Sequence, residues 1–200
     1  MPENDNPILT APPAPVSKSK AHTLATVWNA LSWFRDLAFS VLIAVVLIVF
    51  IYQPVKVEGT SMMPMLSDQE RIFISKFTYR FGLGSIERGD TVVFWYPQDT
   101  SKSYIKRVIG LPGDRVRIED GQVYVNGSAL VEDYVPAENR DMSSWRDGAE
   151  QTVPADRYFV LGDHRNSSSD SRSWGYVPRG NIYGKAVFVY WPLSQIGRLH

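Results

Sequence analysis

The longest apolar stretch of the chain runs from Leu37 to Tyr52, LAFSVLIAVVLIVFIY, sixteen residues without a charge, glycine or proline. Only Ser40 interrupts it, so the run lacks the polar face that helical spacing gives a surface helix. The pattern predicts helix over 23–52, with Pro54 ending it. The apolar part, about 37–52, would rise about 24 Å against a hydrocarbon core of about 30 Å. Trp33 and Phe34 before it and Tyr52 at its end suit the two membrane interfaces, and Arg35 is able to snorkel. We therefore read one transmembrane anchor. A cleavable export signal would have a shorter apolar core followed by small residues, whereas Gln53-Pro54-Val55-Lys56 follows here.

Beyond Tyr52 the period changes. Runs of β-branched and aromatic residues predict strands over 71–75, 91–96, 104–109, 115–118, 122–125, 157–161 and 185–191. Asp120-Gly121 and Asn126-Gly127 are hairpin signals, so Arg115 to Leu130 reads as a small meander. Residues 132–155 are polar, with Pro136 and Pro154, and read as a long excursion; the stretch 114–156 as a whole reads as a less regular insertion. No long helix is expected after residue 52. The fold class is mainly β: a domain of coiled antiparallel sheets over 53–200, preceded by one transmembrane helix.

Composition then narrows the chemistry. The 200 residues have room for one such domain plus attachments. Five prolines among polar residues make 1–22 a disordered tail. Lys+Arg and Asp+Glu both number 21, so no charge excess points to nucleic acid. With no cysteine, thiolate catalysis and cysteine metal sites are excluded. The histidines, His22, His164 and His200, are too scattered to suggest a metal site. No metal or cofactor is expected.

One stretch after the apolar run stands out, Gly59-Thr60-Ser61-Met62-Met63-Pro64-Met65-Leu66. Serine needs a base to act as a nucleophile. Apart from the C-terminal His200, His164 is the only histidine beyond residue 52, so a lysine base is the other established route. Lysine serves only if its ordinary pKa of about 10.4 is lowered by burial. Lys106 lies in Tyr104-Ile105-Lys106-Arg107-Val108-Ile109, where alternation sets Tyr104, Lys106 and Val108 on one face. On pattern alone, an edge-strand lysine reaching solvent is the simpler reading, and Gly162 to Gly175 reads as a polar surface loop.

Four blocks together resemble the bacterial type I signal peptidases. They are Val57-Glu-Gly-Thr-Ser61-Met-Met-Pro64, Arg88-Gly-Asp90-Thr-Val-Val-Phe94, Tyr104-Ile-Lys106-Arg-Val-Ile-Gly110-Leu-Pro-Gly-Asp114, and Gly162-Asp163-His-Arg165-Asn-Ser-Ser168-Ser-Asp170-Ser-Arg172-Ser-Trp-Gly175. They stand in the family's order behind an anchor. The resemblance implies a serine endopeptidase that cleaves signal peptides from exported preproteins through an acyl-enzyme. It assigns Ser61 as nucleophile and Lys106 as general base. Ser168 matches the hydroxyl that orients the lysine, and Asp170 and Arg172 match a supporting charged pair. Substrate-wall positions fall on Val55, Val57, Gly59, Met62, Leu66, Tyr104 and Ile105, where small side chains would be selected. Gly59 departs from members that carry serine there, which leaves the oxyanion to the Ser61 backbone N–H, with the role of the Thr60 side chain open.

The implied partners are preprotein signal peptides with small residues at the cleavage site, and a lipid bilayer. The implied place is the bacterial cytoplasmic membrane, single-pass, with the tail cytoplasmic and the domain outside. Two other readings stand beside this one: a membrane-tethered peptide-binding β-domain without activity, and a self-cleaving Ser-Lys regulator. The latter would need a DNA-binding helix-turn-helix, for which residues 1–36 are too short and proline-rich.

Overall fold

A computed structural model describes residues 32–46, 52–76 and 84–199. The expected tail, 1–22, and residues 23–31 and 47–51 of the expected helix lie outside the described residues. Helix α1 occupies residues 32–46. Trp33, Phe34, Leu37, Phe39, Val41 and Leu42 on it are exposed, as an apolar sequence without a polar face requires. Among the described residues no helix is long and apolar enough to cross a membrane. The chain divides into two compact units, Met1–Val46 and Leu47–His200.

Among the described residues, twelve strands belong to the second unit. They are β1 (Tyr52–Lys56), β2 (Arg71–Ser75), β3 (Thr91–Tyr96), β4 (Asp99–Gly110), β5 (Arg115–Glu119) and β6 (Gln122–Val125). β7 (Ser128–Ala129), β8 (Gln151–Thr152), β9 (Arg157–Leu161), β10 (Val177–Pro178), β11 (Ile182–Trp191) and β12 (Gly197–Arg198) follow. Eight form one sheet in the order β1-β2-β11-β3-β4-β9-β10, with β12 on β11; four form a second in the order β7-β6-β5-β8. All strand pairs are antiparallel. One four-residue helix, α2 (Ser171–Trp174), sits beyond β9.

The alternation read from the sequence places the core. Val108 joins Val92, Phe94 and Val160 on one side of the large sheet. Ile109 turns the other way, to Phe159, Val116 and Val123, and so ties the small sheet to the large one. A third cluster, Val57, Met62, Leu66, Ile72, Ile74 and Val93, lies beneath the Ser61 turn. The insertion over 114–156 is more regular than expected. It contains the whole small sheet, because β8 returns to pair with β5 at Arg115↔Thr152.

Two expectations need correction. Tyr52 is the first residue of β1, not the last of the helix. Pro54 does not mark a break: β1 is an edge strand, and proline is tolerated where its missing N–H faces away from the ladder. Lys106 is likewise no edge-strand lysine reaching solvent. It is 4% exposed although β9 joins β4 only from Arg107 onward, so burial by the walls of the cleft beside it rather than a central position keeps it from solvent.

Gly110 lets the two sheets approach. A Cβ there would lie 2.8 Å from Val116 Cγ2 and 2.9 Å from Val153 Cγ2. Gly110→Ala is expected to cost about 1–3 kcal/mol through overpacking, read as a lowered thermal unfolding midpoint. An unchanged midpoint would show that the small sheet shifts freely.

Candidate active site

The Ser61 turn is pinned from below. Leu66 N–H donates to the Met62 carbonyl at 2.9 Å, closing one helical turn. Met62 and Leu66 are thereby stacked on one side and drive it into the core, at 2% and 0% exposure. Gly59 leads into the turn with φ +97°, a conformation glycine adopts without strain, and its N–H donates to Asp68 Oδ1 at 2.8 Å. Glycine rather than serine at this position therefore has a local backbone cause.

β4 brings Lys106 to the same place. Lys106 Nζ donates to Ser61 Oγ at 2.6 Å, across 45 residues of sequence. The Tyr104 ring centroid is 5.7 Å from Nζ, as expected for residues on one strand face. Burial among apolar neighbours lowers the Lys106 pKa to about 8, against the opposing pull of Asp170 and Asp163. Neither carboxylate pairs with the amine, because each is held elsewhere. Asp163 accepts from Arg107 Nε at 2.9 Å and Nη2 at 2.7 Å. Asp170 accepts from Arg172 Nε at 2.9 Å and Nη2 at 2.8 Å, and from the Gly162 N–H at 3.1 Å.

The loop after β9 closes the back of the turn. The His164 N–H donates to the Ser61 carbonyl at 3.1 Å. His164 Nδ1 lies 3.2 Å from the Thr60 carbonyl, a contact that requires the proton on Nδ1. Gly162 is obligatory here, since a Cβ would lie 2.5 Å from the Ser61 carbonyl oxygen and would overlap the Ser168 side chain.

Beside Ser61 and Lys106 opens a cleft of about 290 Å³. Val55 and Val57 form one wall, Tyr104 and Ile105 the other, with Ile72 and Val93 between them. Four of the seven expected wall positions thus line it. Met62 and Leu66 instead belong to the core beneath, and Gly59 lies outside the lining. Their side of the turn faces inward because the helical hydrogen bond turns it so.

The supporting residues divide. Asp170 and Arg172 pair as expected. Ser168 Oγ is buried and makes no hydrogen bond, so its expected bond to Lys106 is absent. Ser169 and Ser103 line the cleft instead, and sequence reasoning did not single them out. It also passed over the Arg107–Asp163 pair, although alternation had already turned Arg107 away from Lys106 and Asp163 stood inside a quoted block.

A family model described as signal peptidase, peptidase S26, matches residues 30–191. The chain belongs to this family. A signal peptidase I of Leptolyngbya laminosa is 36% identical to it over 205 residues, covering 98% of this chain and 96% of the relative. A probable signal peptidase I-2 of Synechocystis sp. is 39% identical over 189 residues, covering 92% and 82%. Signal peptidase I T of Bacillus subtilis is 37% identical over 173 residues, covering 83% and 88%. Membership of an S26 peptidase family makes the chain an enzyme and sets aside the reading as an inactive peptide-binding domain.

Lys106 links the site to stability. The unfolded chain binds the proton that the folded chain sheds between about pH 8 and 10.5, so stability rises with pH across that window. Lys106→Met is expected to raise the unfolding midpoint at pH 7 and to flatten that rise. Parallel midpoint-against-pH curves for the two proteins would contradict the burial of the charge.

Proposed function

We propose that this signal peptidase cleaves preproteins at the end of their signal peptides, with Ser61 as nucleophile and Lys106 as general base. The observation that carries the reading is the 2.6 Å contact between Lys106 Nζ and Ser61 Oγ in a chain of the S26 family.

The geometry supports the following sequence of steps. Neutral Lys106 takes the Ser61 proton as Oγ attacks the scissile carbonyl carbon. The oxygen of that carbonyl becomes an anion, and the Ser61 backbone N–H is the donor for it. Among the described residues that N–H has no other hydrogen-bond partner. The tetrahedral species collapses, the C–N bond breaks, and Lys106 returns its proton to the departing amine, the new N-terminus of the mature protein. Water then attacks the ester as Lys106 accepts its proton, the acyl C–Oγ bond breaks, Lys106 returns the proton to Ser61 Oγ, and the signal peptide leaves with its new C-terminal carboxyl group. Ser168 retains a place in this reading as an orienting hydroxyl, since rotation about χ1 is the motion by which an unpaired Oγ finds a partner.

The substrate is read as an extended strand. β1 is the outer strand of its sheet, and from Asp99 to Lys106 β4 pairs only with β3 among the described residues. Both therefore offer free backbone groups beside the cleft. Side chains pointing inward meet Val55, Val57, Tyr104 and Ile105, which leave room for a methyl group. Gly59, Met62 and Leu66 act on this pocket from behind, by fixing the turn.

The anchor belongs to the same reading. Residues 37–51 are uncharged, and the part of that run within α1 exposes its large apolar side chains. We read a single span with the tail 1–22 in the cytoplasm, the helix ending before Tyr52 and the catalytic domain from Tyr52 onward outside a bacterial cytoplasmic membrane, so that the short connection keeps Ser61 within about 30 Å of the end of the span. The signal peptide's own apolar segment lies in that bilayer.

In detergent or lipid, Ser61→Ala and Lys106→Met are each expected to abolish preprotein cleavage while the fold survives. Full activity in either would sink the Ser-Lys assignment. For the wild type, kcat/KM should rise with pH through a limb near 8, the value to which burial brings Lys106. A flat profile from pH 6 to 9 would assign the base elsewhere.

A further inference from the structure

The polar excursion after β7 has no assigned role. One part of it, residues 132–141, nevertheless reaches every component of the active site. The Glu132 carboxylate accepts from Arg165 Nη1 at 3.0 Å and Nη2 at 2.6 Å, and both side chains are 5% exposed. Arg165 Nε in turn donates to the carbonyl of Gly162 at 2.9 Å, the residue that backs onto Ser61. Tyr134 Oη donates to Glu132 Oε1 at 3.0 Å, and its ring lies 4.0 Å from the guanidinium of Arg107, the residue after Lys106. Asn139 Nδ2 donates to the Met63 carbonyl at 3.1 Å, two residues past Ser61. The Glu138 carbonyl accepts from Asn166 at 2.9 Å, and Asp141 from Arg172 at 2.9 Å.

We propose that residues 132–141 form a strap that holds Ser61 and Lys106 in register, with Glu132 and Asn139 as its positioning residues. Stability alone is a poor reason for this wiring. A buried ion pair is often matched or bettered by apolar side chains of similar volume. What a bidentate guanidinium–carboxylate pair adds is direction. Glu132 fixes the plane of Arg165, Arg165 fixes the Gly162 carbonyl, and Gly162 fixes the Ser61 backbone. Tyr134 does the same for Arg107, which holds Asp163 away from the amine. Asn139 secures the far side of the serine turn. The strap thus sets the serine turn from two sides and, through Arg107 and Arg165, the groups that pack beside the lysine.

This inference rests on the Ser61–Lys106 reading, so its test follows Lys106 directly as well as turnover. The charged and titratable groups around that amine are Asp163 and Asp170, the Arg107 and Arg172 that pair with them, Tyr104, and His164 on the loop. In Glu132→Gln, Arg165 loses its charged, bidentate partner, the loop loosens and water reaches Lys106. Its titration midpoint, followed by NMR on the full chain in micelles, should move up from about 8 towards 10.5, and the acid limb of kcat/KM should follow. Asn139→Ala removes one hydrogen bond at a half-buried position, so it serves if Glu132→Gln does not fold. It should lower kcat about tenfold with KM within about twofold, the mark of lost alignment rather than lost binding. An unmoved or lowered Lys106 midpoint in folded Glu132→Gln overturns the proposal, as does an unchanged kcat in Asn139→Ala. If the midpoint moves as expected but wild type cleaves no preprotein, the strap stands and the Ser-Lys function falls.

Discussion

The site depends on an amine kept from water within 2.6 Å of a hydroxyl. Lysine resists this placement, since its charged form is the one water favours. Apolar walls lower its proton affinity, and two carboxylates nearby raise it. Burial wins, and Arg107 and Arg172 hold those carboxylates, so that among the described residues Lys106 forms no ion pair. The basicity of the lysine is thus lowered by burial, with two arginine-paired carboxylates pulling the other way.

This requirement explains why the residue lies where β4 passes from its open edge into the middle of the sheet. From there on β4 buries side chains on both faces. Lys106 is set towards the cleft, while Arg107, one residue on, is turned towards Asp163. One strand therefore supplies both the amine and the cation that keeps a carboxylate from neutralising it. The serine arrives on a turn instead, because an attacking oxygen must project from the backbone. Met62 and Leu66 hold that turn by their burial.

Much of this was legible in the residues. Strands 71–75, 91–96, 122–125 and 157–161 were marked by β-branched and aromatic runs between turn residues, and their ends agree with the structure. Ser61 and Lys106 were legible only together with the four blocks, since pattern alone favoured an exposed lysine. β1 was hidden because Pro54 stands two residues after the end of an apolar run, and whether a strand lies at an edge is a property of the sheet. Met62 and Leu66 were misplaced by one layer: sequence spacing says that they share a side of the turn, but not which side faces the substrate. Glu132, Tyr134 and Asn139 gave no local signal, because a polar residue in a loop looks the same whether its partner is water or a buried arginine.

The open edges of β1 and β4 carry a cost when no substrate is present. An unpaired edge is a template for any extended chain, including a second copy of the same protein. The edge strand of this cleft bears the usual deterrents, Pro54, which has no N–H to offer, and the exposed pair Lys56 and Glu58. The other edge answers with the short polar run Ser101, Lys102 and Ser103 rather than with apolar residues. These features contribute nothing to cleavage chemistry. Their consequence lies in association: a proline and charged side chains at an open edge disfavour pairing with a second copy of the chain.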